Sequence, residues 1–318
     1  MTGIPPLASG GLILSYRCTN TCAHCLYRCS PRRPDHWMAP DMQEEVLDAL
    51  AREASLSDIH IAGGEPTLNM DCTVSVLEGC RARKLAGSYI ETTGWWCTTV
   101  EKGVDHFRRL FEAGLRCALV SVSPYHNEFI PLRNTRACIA AAQRVFGARG
   151  VFPYMGHLDE AIGALPDDKP HTLLEFCLAH GMSADDSRLA ELYHLIPACG
   201  RRLRQTGHFH VDLYGNLFTG SCPGIVAGRV GDFHPALDRE HFPIWSTLSE
   251  EGAYGLMQMA QAGHGFVPDP VGYVSCCHLC LAVRLHLWSI GGYPELAPAD
   301  FYADDATKPA KGAKPARM

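Results

Sequence analysis

Three cysteines near the amino terminus have a spacing that could do chemistry. Cys18, Cys22 and Cys25 lie in the run CTNTCAHC as C-x3-C-x2-C. Thiolates are soft ligands that suit zinc or an iron–sulfur cluster. A purely structural site of either kind takes four protein ligands. A set of three leaves one metal position open to an outside ligand, which is what chemistry needs and scaffolding does not. Further cysteines cluster at 276–280, and short-range clusters of this kind point to metal. Cys72, Cys80, Cys97, Cys117, Cys138 and Cys177 stand alone in helix-like or strand-like stretches and read as small core residues.

The elements that must position the trio follow from hydrophobic patterning. Residues 11–16 (GLILSY) read as a strand feeding straight into the cysteine loop. Residues 39–54 read as a helix, with Asp41 and Glu44 spaced for a capping box. Strands are expected at 58–66 (running into a glycine turn), 87–94, 116–124, 151–156 and 189–196, with helices at 72–85, 102–114, 134–150 and 172–181. This alternation argues a parallel sheet with helices outside. It has too few units for a full eight-fold barrel, so an open sheet or partial barrel fits. In such folds ligands bind at the carboxyl ends of the strands. There the cysteine loop, Gly63-Gly64-Glu65-Pro66, and Thr92-Thr93-Gly94 follow strands one, two and three.

After residue 197 the pattern changes. Residues 208–222 alternate apolar and polar around Gly215-Asn216 and read as a hairpin. A helix candidate follows at 247–261, then another apolar run at 275–288. The expected division is a core at 10–196, a small second domain at 197–290, and a partly disordered tail at 291–318 rich in Lys, Ala and Pro.

Composition narrows the function classes. Of 318 residues, 47% are hydrophobic, so the chain can bury a sizeable core. A net charge of -6 disfavours a sequence-independent nucleic-acid binder. No apolar run reaches the roughly 18 residues of a membrane span, so no membrane partner is expected. The start MTGIPPLASGG lacks an export signal, so the expected location is cytoplasmic. The 15 cysteines are then not expected to form disulfides.

The C-x3-C-x2-C motif followed by Gly63-Gly64-Glu65-Pro66, on successive strand–helix loops, resembles the radical S-adenosylmethionine (radical SAM) superfamily. The resemblance implies a partial (β/α)6 TIM-like barrel over residues 10–196 of an α/β fold. It implies a [4Fe–4S] cluster held by Cys18, Cys22 and Cys25, with SAM itself as the missing ligand. One electron then splits SAM to a 5′-deoxyadenosyl radical that abstracts a substrate hydrogen. An external one-electron donor of the flavodoxin or ferredoxin kind is implied too. Gly63, Gly64, Glu65 and Pro66 are expected at SAM. Thr92, Thr93, Ser121 and Ser123 match places that touch its ribose or carboxylate. His24 stands where the family usually has an aromatic residue and could pack on adenine. Cys29 as a fourth ligand would close the cluster, so it is read as a bystander.

Cys199, Gly215, Cys222 and the C-x2-C of Cys277 and Cys280 resemble the twitch domain, a shortened SPASM domain, although the gap from Gly215 to Cys222 is longer than usual. That likeness implies a small α+β domain and an auxiliary [4Fe–4S] cluster on Cys199, Cys222, Cys277 and Cys280. Cys276 could replace Cys277, and a zinc site could use the same ligands. An auxiliary cluster could accept an electron, giving dehydrogenation or crosslinking of a peptide or small-molecule substrate. The alternatives are a radical SAM methyltransferase or epimerase, or a non-catalytic iron–sulfur or zinc scaffold. Fold and cofactor do not choose among these. For substrate contact the sequence offers Tyr125, His126 and Arg133 on the loop after strand four. Trp95 and Trp96 read as core or lid. His208 and His210 share one face of the hairpin, either exposed or toward a ligand.

Overall fold

The computed structural model describes residues 3–154, 199–270, 273 and 276–302. Five strands and their crossovers build the first half: β1 (Ser9–Ile13), α1 (Pro40–Ala51), β2 (Asp58–Ala62), α2 (Met70–Ala82), β3 (Gly87–Thr92), α3 (Val100–Ala113), β4 (Ala118–Ser121), α4 (Pro124–Asn127), α5 (Leu132–Phe146) and β5 (Val151–Tyr154). The second half holds α6 (Cys199–Leu203), β6 (Phe209–Asp212), β7 (Asn216–Phe218), β8 (Gly228–Arg229), α7 (Pro243–His264), α8 (Cys276–Ile290) and α9 (Ala299–Tyr302). The strand expected at 189–196, the helix at 172–181, Cys177 and the boundary at 196/197 lie outside the described residues.

All eight strands form one sheet, in the order β5-β4-β3-β2-β1-β6-β7-β8. Neighbours from β5 through β6 are parallel. The pairs β6–β7 and β7–β8 are antiparallel. The fold is therefore α/β, with a mostly parallel central sheet and helices around it. The expected hairpin exists, and its first strand runs parallel to β1, which continues the sheet.

Burial explains the elements. Strands β1 and β2 are covered on both faces, as parallel strands are; Leu12, Ile13, Ile59 and Ile61 are 1% exposed or less. Helix α3 buries Phe107, Leu110 and Ala113. A side chain on its Gly103 would overlap the Ala141 methyl of α5, so glycine sets that close approach. Each fully buried Phe or Leu contributes about 1.5–3 kcal/mol. Cys72, Cys80, Cys97 and Cys138 are buried core residues as expected, and Trp96 stacks on His106 within that core.

The expected capping box is not formed. Helix α1 begins at Pro40 with Ala39 as its N-cap and no side-chain cap. Proline is preorganised for the first helical position, so Asp41 falls inside the first turn, where it bonds Met42 N. Among the described residues no helix is long and apolar enough to cross a membrane.

Candidate functional site

The segment between β1 and α1 carries the cysteine trio and is closed at its neck. Cys18 N donates to Ser30 O at 3.2 Å, and Ser30 N to Tyr16 O at 3.2 Å. Within it, Cys25 N donates to Cys22 O at 3.0 Å. Arg33 is buried and supports the segment from beneath, donating to Arg28 O at 2.9 Å and Phe301 O at 3.2 Å. Arg28 reaches the same Phe301 carbonyl at 2.8 Å. The loop is thus held in shape before any metal binds.

Cys18, Cys22 and Cys25 line one cavity of about 450 Å³. Burial, with Glu65 and the other two cysteines nearby, pushes the Cys18 thiol well up. Burial and Cys25 push Cys22 up to about 12. Thiols crowded in this way resist ionising on their own, whereas a bound cation reverses that preference. The donor set therefore fits a metal cluster with an open position. Cys29, read from sequence as a bystander, stands on the same wall. Its sulfur accepts from Gly64 N at 3.3 Å, and its thiol bonds Cys25, lowering Cys25 and raising Cys29.

The Gly63-Gly64-Glu65-Pro66 loop presses on the neck. Gly63 and Gly64 have φ of 84° and 54°, the region glycine adopts without cost. A side chain on Gly64 would overlap the Arg17 carbonyl oxygen, and Glu65 N donates to that oxygen at 3.0 Å. Glu65, expected at SAM, has a fully buried side chain that is not on the cavity wall. One carboxylate oxygen accepts from Thr67 N, the Thr67 hydroxyl, and the Thr92 hydroxyl at 2.9 Å. The other accepts from Thr93 N and the Thr93 hydroxyl, both at 2.7 Å. Glu65 is thus a clasp between the loops after β2 and β3. The Thr92 and Thr93 hydroxyls are occupied by it, although both residues line the cavity with Gly63, Gly64 and Ser121. Pro66 is buried at the start of a 3-10 turn and is not on the wall.

His24 packs on Tyr125 with ring centroids 4.5 Å apart and on His126 at 4.9 Å. The cysteine loop and the loop after β4 therefore meet through aromatic rings. His126 faces the cavity, and burial beside His24 pushes it down to about 3. Ser123 lies beyond the end of β4, not on it, and bonds the His126 ring at 2.7 Å. Arg133, expected at substrate, is exposed on α5 and is not on the cavity wall.

Another part of the cavity lining was only half visible from sequence. His60, Tyr89, Glu91, His208 and His210 are brought together there. His60 and His210 both stand in register with Gly11 of the intervening β1, and their Nε2 atoms are 3.1 Å apart. His60 stacks on Tyr89 at 4.7 Å and His208 at 5.2 Å. Burial and His208 push His60 down to about 4. His210 is 4% exposed, which overturns an exposed-strand reading, because β6 is flanked by β1 and β7. Burial, with Cys25 beside it, pushes the Glu91 carboxyl up to about 7. His60, Tyr89 and Glu91 are isolated polar residues on strands, and only their alternation with apolar neighbours could have flagged a shared face.

In the second half, Cys199, Cys222, Cys277 and Cys280 come together. Burial raises the Cys222 thiol to about 12, helped by Cys280, Cys199 and Cys277. Cys277 and Cys280 fall one helical turn apart in α8, and so share a face. Arg284, one turn further on, is buried and bonds Cys280. It also donates to Pro223 O and Tyr302 Oη, each at 2.9 Å, while its Nε has no partner. A buried cation beside four thiols suits an anionic thiolate-bound metal.

Comparison with known proteins adds the following. Residues 12–145 match the family model of the radical SAM superfamily. No curated protein gives a significant sequence match. Among solved structures, the chain is similar to BtrN in complex with AdoMet and 2-DOIA, at 16% identity over 82% of this chain and 89% of that one, with a TM-score of 0.43. It is similar to anSMEcpe with bound AdoMet and Cp18Cys peptide, at 14% identity over 67% and 73%, TM-score 0.39. It is also similar to Streptococcus suis SuiB bound to precursor peptide SuiA, at 12% identity over 68% and 60%, TM-score 0.34.

Proposed function

We propose that this chain, whose residues 12–145 form a radical SAM domain, is an oxidoreductase. It would take a hydrogen atom from a polar substrate group, a small molecule or one residue of a peptide, and pass an electron on to a second metal site. The observation that carries the reading is that Cys18, Cys22 and Cys25 share one cavity with the backbone of the Gly63-Gly64 loop at the carboxyl ends of the strands. The [4Fe–4S] cluster and SAM, when bound, supply the hydrogen-abstracting radical.

The chain's own residues supply position. Cys18, Cys22 and Cys25 would hold the cluster. Gly63 and Gly64, on the same cavity wall, would present backbone to the amino group of SAM. The Glu65 clasp fixes this loop against Thr92 and Thr93. His24 and His126 offer rings to the adenine side. Tyr89, Glu91 and His208 give the cavity a polar, aromatic lining for substrate. Glu91, with its carboxyl near 7, can hold or release a proton at its Oε atoms near neutral pH. Cys199, Cys222, Cys277 and Cys280 would carry an auxiliary [4Fe–4S] cluster, with Arg284 offsetting its charge.

The test is anaerobic. Protein with dithionite and SAM should release 5′-deoxyadenosine, and the triple variant Cys18→Ala/Cys22→Ala/Cys25→Ala should release none while losing about half its iron. Retained release in the triple variant sinks the assignment. For the auxiliary site, about eight irons per chain are expected, falling to about four in Cys222→Ala/Cys280→Ala. About four irons with one zinc in the unmodified protein would replace the electron acceptor with a structural zinc.

A further inference from the structure

The cysteines do not account for the histidines of the cavity lining. His60 comes from β2, His210 from β6 and His208 from the residue just before β6, and β1 separates the two strands. Across that gap the side chains meet because Gly11 has none: a Cβ there would overlap the His60 ring. One donor nitrogen from each of the three rings lies within 4.8 Å of the other two. The Nε2 atoms of His60 and His210 are 3.1 Å apart. Two nitrogens on one tetrahedral metal lie about 3.3 Å apart, given metal–nitrogen bonds of about 2.0–2.1 Å. These two nitrogens already stand near that spacing, while the exposed His208 ring, stacked on His60, has to turn and close the remaining gap.

The surroundings suit such an ion. Glu91 Oε1 stands 3.8 Å from His60 Nε2. His60 is held on one side by Tyr89, its ring plane within 2° of parallel, and Tyr27 packs edge-on against His210 at 5.2 Å. The outer ring, His208, is exposed and lines the cavity with His210 and Glu91. A hydrogen-bonded pair of buried histidines needs only two rings. The third, together with a carboxylate at the edge, makes a ligand set.

We propose that His60, His208 and His210 bind one divalent first-row transition metal of the imidazole-preferring class, with its remaining position open to the cavity. Three imidazoles from a rigid sheet are a favoured set for zinc, iron(II) or cobalt(II). The open position would take an amine, hydroxyl or carboxylate of the substrate, or Glu91 when substrate is absent. The site anchors one end of the substrate in the cavity that the cysteine trio also lines. It stands independently of the radical SAM reading, since no cysteine belongs to it.

The probe is Co²⁺ alone, added to anaerobic full-length protein with its iron in place. The unmodified chain should take up one Co²⁺ in addition to its iron. The ion should show visible d–d bands, without sulfur-to-cobalt charge-transfer absorption. His208→Ala, at an exposed position, should weaken uptake by at least about tenfold, since even outer-shell partners of a metal cost 10–100-fold. His60→Phe keeps the stack on Tyr89 and should abolish uptake with iron content unchanged; a melting curve shows whether that variant is folded. Unchanged Co²⁺ affinity in His208→Ala, absence of any uptake by the unmodified chain, or sulfur-to-cobalt bands would each overturn the proposal. Failure of 5′-deoxyadenosine release would not, because the readout is metal content and spectrum.

Discussion

Glu65→Gln isolates the clasp between the loops after β2 and β3. In the native chain the two carboxylate oxygens accept five hydrogen bonds, from Thr67 N, Thr67 Oγ1, Thr92 Oγ1, Thr93 N and Thr93 Oγ1. Glutamine keeps the shape but offers one oxygen and one NH2. The best placement leaves the oxygen toward Thr67 and Thr92 and turns the NH2 toward Thr93. The Thr93 hydroxyl can rotate and accept from it, but the Thr93 backbone N–H cannot. One charge-assisted bond is lost and one buried donor is left unpaired, a cost of about 2–4 kcal/mol. At about 2 °C per kcal/mol in a chain of this size, the anaerobic melting midpoint should fall by about 4–8 °C. Thr93→Val removes a single hydroxyl and should cost about half as much. A Glu65→Gln midpoint within about 1 °C of the parent, with only SAM affinity reduced, would refute the clasp. The carboxylate would then face the cofactor, as the sequence alone suggested.

Gly64→Ala places a methyl against the Arg17 carbonyl at a φ of 54°, so the neck of the cysteine loop must shift; iron at the first cluster should fall while iron at the second stays. Glu295 caps the first turn of α7 through Ile244 N and Trp245 N, and burial pushes its carboxyl up to about 7. Because the folded value is raised, the stability it contributes is full below about pH 4.5 and is lost as pH climbs through about 7; Glu295→Gln should flatten that stretch of the urea-stability profile. Arg284→Gln removes the buried cation beside Cys280 and Cys222, and the second cluster's reduction potential should become more negative by an electrochemical titration. Gly10→Ala meets the Phe209 ring and Gly11→Ala the His60 ring; each should lower the melting midpoint through overpacking worth about 1–3 kcal/mol. Only Gly11→Ala should also lower Co²⁺ uptake, because residues 10 and 11 face opposite sides of the sheet.

The alternation of strand and helix up to residue 154 was legible because each strand is an apolar run bounded by glycine or polar turns. The cysteine trio was legible because its spacing carries its own chemistry. Orientation was not. Nothing in the string GGEP says that Glu65 turns inward to three threonines, since the partners lie on two separate loops and meet only in the fold. His60 was invisible for a related reason: one histidine in DIHIA has no local partner, and the histidine it bonds is 150 residues away. The parallel pairing of β6 with β1 joins residues 10 and 209, a contact that no local pattern encodes. The placement of Ser123 and Arg133 was not legible because chain proximity to a strand end does not set which way a side chain points. The missed cap at Asp41 came from Pro40, whose fixed φ starts the helix two residues earlier.

These particulars converge on β1. It delivers the chain into the cysteine loop at its carboxyl end, and it pairs on one side with β2 and on the other with β6. Strand β2 leads into the Gly63-Gly64 loop, and β6 leads through the turn at Gly215 to β7 and Cys222. The buried Asp212 at the end of β6 accepts a hydrogen bond from Tyr16 at 3.1 Å, two residues before Cys18. A parallel pair is fixed in register by its ladder, so a shift of β6 against β1 carries the first cysteine loop and the approach to the second together. The sheet therefore ties the cysteine loop after β1 to the turn that carries Cys222. The two glycines at the middle of this strand let Phe209 pack on one face and the histidines meet on the other.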